Sequence, residues 1–264
     1  MIFSIPFPAI DPVIFSFGPV AIRWYSLAYI AGLVLGWQLL RILVQKSPKL
    51  TELEEVDDFL VWVTLGVILG GRLGYVIFYN LTIYLNNPLS ILAVWQGGMS
   101  FHGGLLGVIG ATILFCHKRN IDLWPFADRI ACVAPIGIFF GRLANFINGE
   151  LFGRISDVSW AVVFPQGGPE ARHPSQIYEA MGEGFLLFLI MMFLVRNEML
   201  RRRPGFLTGV FFLGYGIVRT GAEYFRQPDA HIGYLSFGLT TGQCLSAPLV
   251  LAGCWLVFSS MRKL

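Results

Sequence analysis

Four polar side chains lie near the end of an otherwise apolar stretch, residues 135–150, with the sequence PIGIFFGRLANFINGE. They are Arg142, Asn145, Asn148 and Glu150. A guanidinium keeps its charge and is costly in hydrocarbon, so we expect Arg142 to face protein, water or a bound anion rather than lipid tails. The stretch therefore predicts a buried anion site.

Arginine is the only basic residue type at the outer end of the predicted membrane-crossing segments. Lysine satisfies the positive-inside rule as well as arginine does, so topology alone does not explain this choice. A planar guanidinium binds phosphate or carboxylate through two parallel hydrogen bonds, whereas an ammonium acts as a point charge. The pattern favours a phosphate or carboxylate ligand at that end. The seven outer arginines are Arg23, Arg72, Arg142, Arg154, Arg172, Arg219 and Arg226.

Polar groups on other predicted spans lie at a similar depth. At about 1.5 Å per residue, Arg142 and His102 each lie on the order of 10 Å below their outer helix ends. We expect these groups to converge on one layer near the outer lipid headgroups. Besides Arg72, Arg142 and Arg219, the layer contains Tyr25, His102, Gln176, Tyr178, Glu179 and Glu183.

The sixth predicted span has charged residues on one helix face. Tyr215, Arg219, Glu223 and Arg226 follow one another at helical spacing. Such a face can simply neutralise itself, because charges within membranes usually pair. Two arginines against one carboxylate nevertheless leave positive charge for a ligand.

His102 follows a glycine-rich segment, GGMSFHGG at residues 97–104. A lone histidine in a membrane either joins two helices by a hydrogen bond or acts as a general base. Ser100 beside it permits an intramembrane protease, but the segment lacks the final glycine of a nucleophile elbow. No dinucleotide fingerprint, P-loop or HExxH motif occurs in the sequence, so we expect neither a cofactor nor a metal.

Membrane-crossing helices must position these groups. Hydrophobic residues make up 55% of the chain and charged residues 13%, and the mean hydropathy is +0.66, which is typical of an integral membrane protein. A helix needs roughly 20 apolar residues to cross a bilayer. We predict an all-α fold with seven transmembrane helices in a single catalytic domain, residues 1–264. The predicted spans are residues 24–43, 59–79, 97–116, 127–147, 175–195, 205–225 and 237–259.

The remaining basic residues set the orientation, because short cytoplasmic loops carry the excess of lysine and arginine. They group at alternate loops, which places the amino terminus outside and the carboxyl terminus in the cytoplasm. This inner basic set is Arg41, Lys46, Lys49, Lys118, Arg119, Arg129, Arg196, Arg201, Arg202, Arg203, Arg262 and Lys263.

Two segments outside the spans have their own character. Residues 1–20 contain four prolines and no basic region, so they predict an external or interfacial arm rather than a cleavable signal peptide. Residues 150–174 form an outer loop that is either a lid or a connector. The four cysteines lack metal-ligand spacing and are interpreted as packing thiols.

These motifs together resemble the bacterial prolipoprotein diacylglyceryl transferase family. GRLANFINGE at residues 141–150, followed by Gly153 and Arg154, closely resembles the family signature, and the resemblance covers nearly the whole chain. One departure is Ala144, where the family usually has glycine; its methyl group could tighten a helix contact beside the site. The other matching segments are DPV at 11–13, RWY at 23–25, GGR at 70–72, FHGG at 101–104, RHPSQ at 172–176 and FRQPD at 225–229.

The resemblance implies a multi-pass enzyme of the bacterial plasma (inner) membrane, with its active site toward the outer leaflet. Such an enzyme moves the diacylglyceryl group of phosphatidylglycerol to the lipobox cysteine of a preprolipoprotein signal peptide, and glycerol phosphate leaves. The expected partners are these two substrates and membrane lipids. We expect that the protein binds no nucleic acid and that it is a monomer.

The same resemblance implies roles for individual residues. Arg142 and Arg219 would bind the phosphate and stabilise the leaving oxygen, which requires no metal. The thiol must lose a proton, which His102, Glu150 or nearby arginines could assist; we favour His102. The functional set implied by the resemblance also includes Tyr25, Asn145 and Glu223. The further residues that we expect to bind substrate are Arg72, Asn148, Glu179 and Arg226.

Two other functions use the same residues. An anion transporter would need polar residues continuing to the inner face, but the inner halves of the predicted spans are nearly all apolar. An intramembrane protease would use Ser100 and His102.

Overall fold

The computed structural model describes residues 5–8, 10–17, 20–228, 233 and 235–262. Asp229 of the FRQPD segment, Lys263 of the inner basic set, and residues 1–4, 9, 18 and 19 of the predicted arm lie outside them. The helices are α1 Trp24–Val44, α2 Leu53–Tyr79, α3 Leu81–Asn86, α4 Phe101–Arg119, α5 Leu123–Ile147, α6 Ser175–Glu179, α7 Leu187–Leu194, α8 Glu198–Arg201, α9 Phe206–Ala222 and α10 Thr241–Met261. The strands are β1 Ile5–Pro6, β2 Val13–Phe17, β3 Val20–Arg23 and β4 Val162–Val163.

Six helices of the described chain are long and apolar enough to cross a membrane. One of them is a continuous helix of 20 residues, Ser175–Leu194, in which a π-helical turn, Ala180–Leu186, joins α6 to α7. The others are α1, α2, α4, α5 and α10. The chain is therefore a mostly helical, multi-pass integral membrane protein. The remaining predicted span, residues 205–225, corresponds to α9, which has 17 residues.

The chain divides into two compact units, Arg41–Ala127 and a second unit that joins Met1–Leu40 to Asp128–Leu264. We call them the small unit and the large unit. The single catalytic domain expected from the sequence stays a prediction.

In the small unit, α2 and α4 pack backbone against backbone. A methyl group on Gly66 would lie 2.7 Å from the carbonyl oxygen of Gly107, and one on Gly74 would lie 2.6 Å from the Cα atom of Gly103. Glycines at intervals of four residues allow this approach, as small residues do between membrane helices. The beginning of α4, where His102 lies, is thereby fixed against α2.

In the large unit, Asp128 on α5 fixes the beginning of α9. Its carboxylate accepts hydrogen bonds from the backbone N–H groups of Gly205 (2.9 Å) and Thr208 (2.7 Å) and from the Thr208 hydroxyl (2.7 Å). These contacts satisfy amide groups that a helix leaves unpaired in its first turn. Arg142 lies about 21 Å beyond Asp128 on α5, and Arg219 lies about 17 Å beyond Thr208 on α9, at 1.5 Å per residue.

The inner basic set needs one correction. Arg129 was expected in a cytoplasmic loop, but it lies within α5 and is completely buried. The predicted span, residues 127–147, already contained Arg129, so its assignment to a loop was the error; the helix begins four residues earlier still, at Leu123.

Residues 5–7 of the predicted arm pack within the large unit. Strand β1 pairs in parallel with β4, and Ile5 lies opposite Val162. The ring of Phe7 packs at 5.7 Å from Phe146 and 5.5 Å from Phe164. Strands β2 and β3 form an antiparallel hairpin that leads directly into α1.

Candidate active site

Three arginines and three carboxylates form a buried cluster in the large unit, which we call the ionic cluster. Side-chain exposure ranges from 0% for Glu183 to 17% for Arg142. Buried charges are retained in a fold only when they are paired, so each member needs the others. The members are Arg142 on α5, Glu179 on α6, Glu183 in the π-helical turn, Arg219 on α9, and Glu223 and Arg226 just beyond α9.

Arg142 contacts two carboxylates with three nitrogen atoms. Its Nη1 atom lies 2.9 Å from Oε2 of Glu179. Its Nε and Nη2 atoms donate to Oε2 of Glu183 at 3.2 and 3.0 Å. The guanidinium plane is therefore fixed in both position and orientation.

Arg219 approaches the same two carboxylates from α9. Its Nη1 atom lies 3.0 Å from Oε1 of Glu179 and 3.7 Å from Oε1 of Glu183, while Nη2 donates to Glu223. Arg226 reaches Oε1 of Glu179 at 3.5 Å. Glu179 thus contacts all three arginines. The structure brings Arg142 and Arg219 together as the sequence suggests, and their contact with substrate stays a prediction.

The charge balance differs from the expectation of two arginines against one carboxylate. That expectation was wrong because it counted only the sixth predicted span. Glu179 and Glu183 come from the fifth span, and with all six groups ionised the cluster is formally neutral.

The shared helix face predicted for the sixth span holds only in part. Helix α9 ends at Ala222, so Glu223 is the last residue that follows the helical spacing of Arg219. Arg226 lies in the following turn, where its backbone N–H donates to the Ala222 carbonyl at 3.0 Å. Arg154 supports this turn by donating to the backbone oxygens of Arg226 (3.0 Å) and Glu223 (3.1 Å).

Glu150 is held in a tight turn after α5. Its Oε1 atom accepts hydrogen bonds from the side-chain amides of Asn145 at 2.8 Å and Asn148 at 3.3 Å. The helix ends at Ile147, and the chain turns at Gly149, whose φ is +66°.

Helix α6 stabilises the same turn through its first two residues. Leu151 has a φ of +57°, which is unfavourable for a residue with a side chain. Its carbonyl accepts from the hydroxyl of Ser175 at 3.0 Å, and Gln176 donates to the backbone oxygen of Glu150 at 2.6 Å. The buried Ser175 and Gln176 thereby hold the backbone of Glu150 and Leu151.

Tyr25 lies in the first turn of α1, in the same unit. Its hydroxyl is 3.4 Å from that of Tyr29. Its contact with substrate stays a prediction.

Arg72 belongs to the small unit, and every nitrogen of its guanidinium donates to backbone oxygens. Nε donates to Ile91 at 2.9 Å and Nη2 to Ser90 at 2.7 Å. Nη1 donates to Gly97 and to Gly98, the latter at 3.2 Å. Through these hydrogen bonds Arg72 holds the segment before α4 in place, which explains why an arginine is buried here. Its direct contact with substrate stays a prediction.

His102 is exposed in the first turn of α4, also in the small unit. Ser100 is the N-cap of this helix, and its buried hydroxyl accepts from the Gly103 N–H at 3.2 Å. That capping role accounts for Ser100 without a nucleophilic function. The expected approach of His102 and Arg72 to Arg142 stays a prediction.

The outer loop is joined to the ionic cluster by backbone pairing. Gly153 pairs with Arg226, and its N–H donates to the His173 carbonyl at 2.9 Å. Arg172 donates to the Gly167 carbonyl at 2.9 Å. Burial lowers the pKa of His173, whose ring packs at 5.2 Å from Phe225. The loop is folded, and the choice between lid and connector stays open.

Several helices contribute side chains to one buried set of paired arginines and carboxylates. This arrangement defines the class of the protein: a multi-pass membrane protein with a polar site between its helices. A family model described as prolipoprotein diacylglyceryl transferase matches residues 12–259. The chain belongs to the prolipoprotein diacylglyceryl transferase family, as its motifs predicted.

Similar proteins extend over almost the full length. A protein of Rhodospirillum rubrum named phosphatidylglycerol--prolipoprotein diacylglyceryl transferase is 59% identical over 265 residues, covering 100% of this chain and 96% of that protein. A protein of the same name from Azospirillum brasilense is 57% identical over 262 residues, covering 98% of each chain.

Proposed function

We propose that the protein transfers the diacylglyceryl group of phosphatidylglycerol to the lipobox cysteine of preprolipoproteins. The reaction forms a thioether, releases glycerol phosphate and is the first step of lipoprotein maturation. Membership of the family and the names of its relatives support this activity. The structural observation that carries it is the ionic cluster, which places two fixed guanidiniums beside each other below the helix ends.

The chemistry requires a sulfur–carbon bond to form while a carbon–oxygen bond breaks. The thiol loses its proton, its sulfur attacks the glycerol carbon, and the phosphate oxygen leaves with the bonding electrons. Arg142 and Arg219 bind the phosphate and stabilise the charge that grows on the leaving oxygen. In this proposal His102 is favoured over Glu150 and the nearby arginines as the group that accepts the thiol proton.

The cluster also has hydrogen-bonding groups that suit a glycerol headgroup. Within the described part of the chain, no hydrogen-bond partner is aligned with either carboxylate oxygen of Glu179, with Oε1 of Glu183 or with Nη1 of Arg219. These atoms are buried and held by ion pairs alone. Headgroup hydroxyls can donate to the Glu179 carboxylate, and phosphate oxygens can accept from the arginines.

The remaining expectations complete the proposal. The protein resides in the bacterial plasma membrane, with α9 as the seventh span, the amino terminus outside and the carboxyl terminus in the cytoplasm. Lipid and translocated signal peptide then reach the site from the outer leaflet. Tyr25, Asn145, Asn148 and Glu150 line the substrate site. The protein acts as a monomer without a cofactor.

The transfer is tested with purified protein in mixed micelles. With phosphatidylglycerol and a lipobox peptide, the peptide mass is expected to rise by one diacylglyceryl group. A peptide with serine in place of cysteine should stay unmodified, because an alcohol is not ionised at neutral pH. An unmodified cysteine peptide in the presence of folded protein would refute the proposed function.

A further inference from the structure

Glu183 is buried between the two helices that carry the candidate phosphate-binding arginines. It lies in the π-helical turn Ala180–Leu186 and is flanked by Gly182 and Gly184. A π-helical turn is closed by i→i+5 rather than i→i+4 hydrogen bonds, is rare, and is frequently found at functional sites. The turn is thus a local departure from helical geometry that needs an explanation.

The two glycines bring this turn into close contact with both neighbouring helices. A methyl group on Gly184 would lie 2.7 Å from the Cα atom of Phe139 on α5, three residues before Arg142. A methyl group on Gly182 would lie 2.5 Å from Cγ1 of Val218 on α9, the residue before Arg219. Any larger side chain would push the turn away from the helix that it contacts.

The carboxylate of Glu183 contacts the guanidiniums on the same two helices. Its Oε2 atom accepts two hydrogen bonds from Arg142, at 3.2 and 3.0 Å. Its Oε1 atom lies 3.7 Å from Nη1 of Arg219. Each oxygen therefore faces a different helix, and the side chain is 0% exposed.

We propose that Glu183 is a positioning residue, which fixes the distance and orientation of the Arg142 and Arg219 guanidiniums for the lipid phosphate. The inference rests on the proposed function. Glu183 is sealed from solvent and acts through the two arginines, whereas Glu179 contacts all three arginines of the cluster. A misplacement of about 1 Å in such a site can lower a rate on the order of 100-fold.

Replacement of Glu183 by glutamine separates positioning from folding. The amide keeps the shape and one acceptor atom but changes the formal charge of the ionic cluster from neutral to positive. We expect the kcat for transfer, per folded molecule, to fall about 100-fold. The KM for phosphatidylglycerol should fall as well, because a positive cluster attracts the phosphate more strongly in the ground state. A purely structural role would change the yield of folded protein and leave KM unmoved.

The measurements are initial rates at varied phosphatidylglycerol in mixed micelles, with folded protein quantified by thermal melting. A Glu183→Gln variant with an unchanged or raised KM would overturn the inference. If that variant does not fold, Gly184→Ala decides, since it moves the turn and removes no chemical group. A tenfold or larger fall in kcat supports the inference, and wild-type kinetics contradict it.

Gly137→Ala is the matched control on α5. Gly137 is exposed, and a methyl group on it would meet no atom within 4 Å, so wild-type kinetics are expected. An inactive wild-type protein would refute the proposed function itself. An active wild-type protein with an unaltered Glu183→Gln variant would refute only the role of Glu183.

Discussion

Replacement of Arg142 by lysine is expected to lower transfer to the peptide thiol by at least about 100-fold, the usual cost of removing a donor that stabilises developing negative charge. Arg142 contacts Glu179 and Glu183 in two directions through three nitrogen atoms. An ammonium keeps the charge but cannot present a planar pair of donors to a phosphate while it retains both carboxylates. Initial rates in phosphatidylglycerol micelles measure the loss.

The control for this substitution is Arg202→Lys. Arg202 is exposed and pairs with Glu198 one helical turn away at 2.6 Å, a contact that lysine can keep. Both variants should appear in the membrane fraction and melt as folded proteins, and Arg202→Lys should retain the wild-type rate. Full activity of Arg142→Lys would contradict bidentate binding of the phosphate.

Replacement of Gly153 by alanine is expected to lower the stability of the protein and its transfer rate together. A methyl group there would lie 2.5 Å from the backbone oxygen of His173 and 2.6 Å from that of Phe225. Backbone atoms cannot move aside without loss of the hydrogen bonds that hold the Arg226 turn. Overpacking of this kind costs about 1–3 kcal/mol, and displacement of Arg226 should lower the rate.

Thermal melting and initial rates check this prediction side by side. Gly137→Ala again provides the control, because the added methyl group meets open space. A Gly153→Ala protein with wild-type melting and a wild-type rate would show that the outer loop does not hold the Arg226 turn.

The helical architecture could be predicted from the sequence because apolar length is a strong local signal. The convergence of Arg142 and Arg219 on one layer of polar groups was also foreseeable, since an arginine within a span must face a polar partner, whereas their joint role at a phosphate came from the family resemblance. Both inferences depend on the cost of placing a residue type in hydrocarbon. Neither requires knowledge of which helices are neighbours.

The charge balance and the role of Glu183 could not be predicted in the same way. Glu183 reaches Arg142 across 41 residues of sequence, and the π-helical turn that enables this contact leaves no periodic signal. Arg226 shows a related limit. The spacing of charged residues predicted a helical face that extends to Arg226, but α9 ends at Ala222. The glycines that flank Glu183 were the one sign of this contact in the sequence, since Gly182 and Gly184 permit the close approach of a helix on each side of the turn.

The stoichiometry of the two products tests the central claim most directly. Purified protein is incubated with lipobox peptide and phosphatidylglycerol that carries a ¹³C label in its headgroup glycerol. Labelled glycerol phosphate and thioether-linked peptide are expected to appear in equal amounts and at the same rate. Labelled glycerol phosphate without modified peptide, or a label that stays in intact lipid, would contradict it.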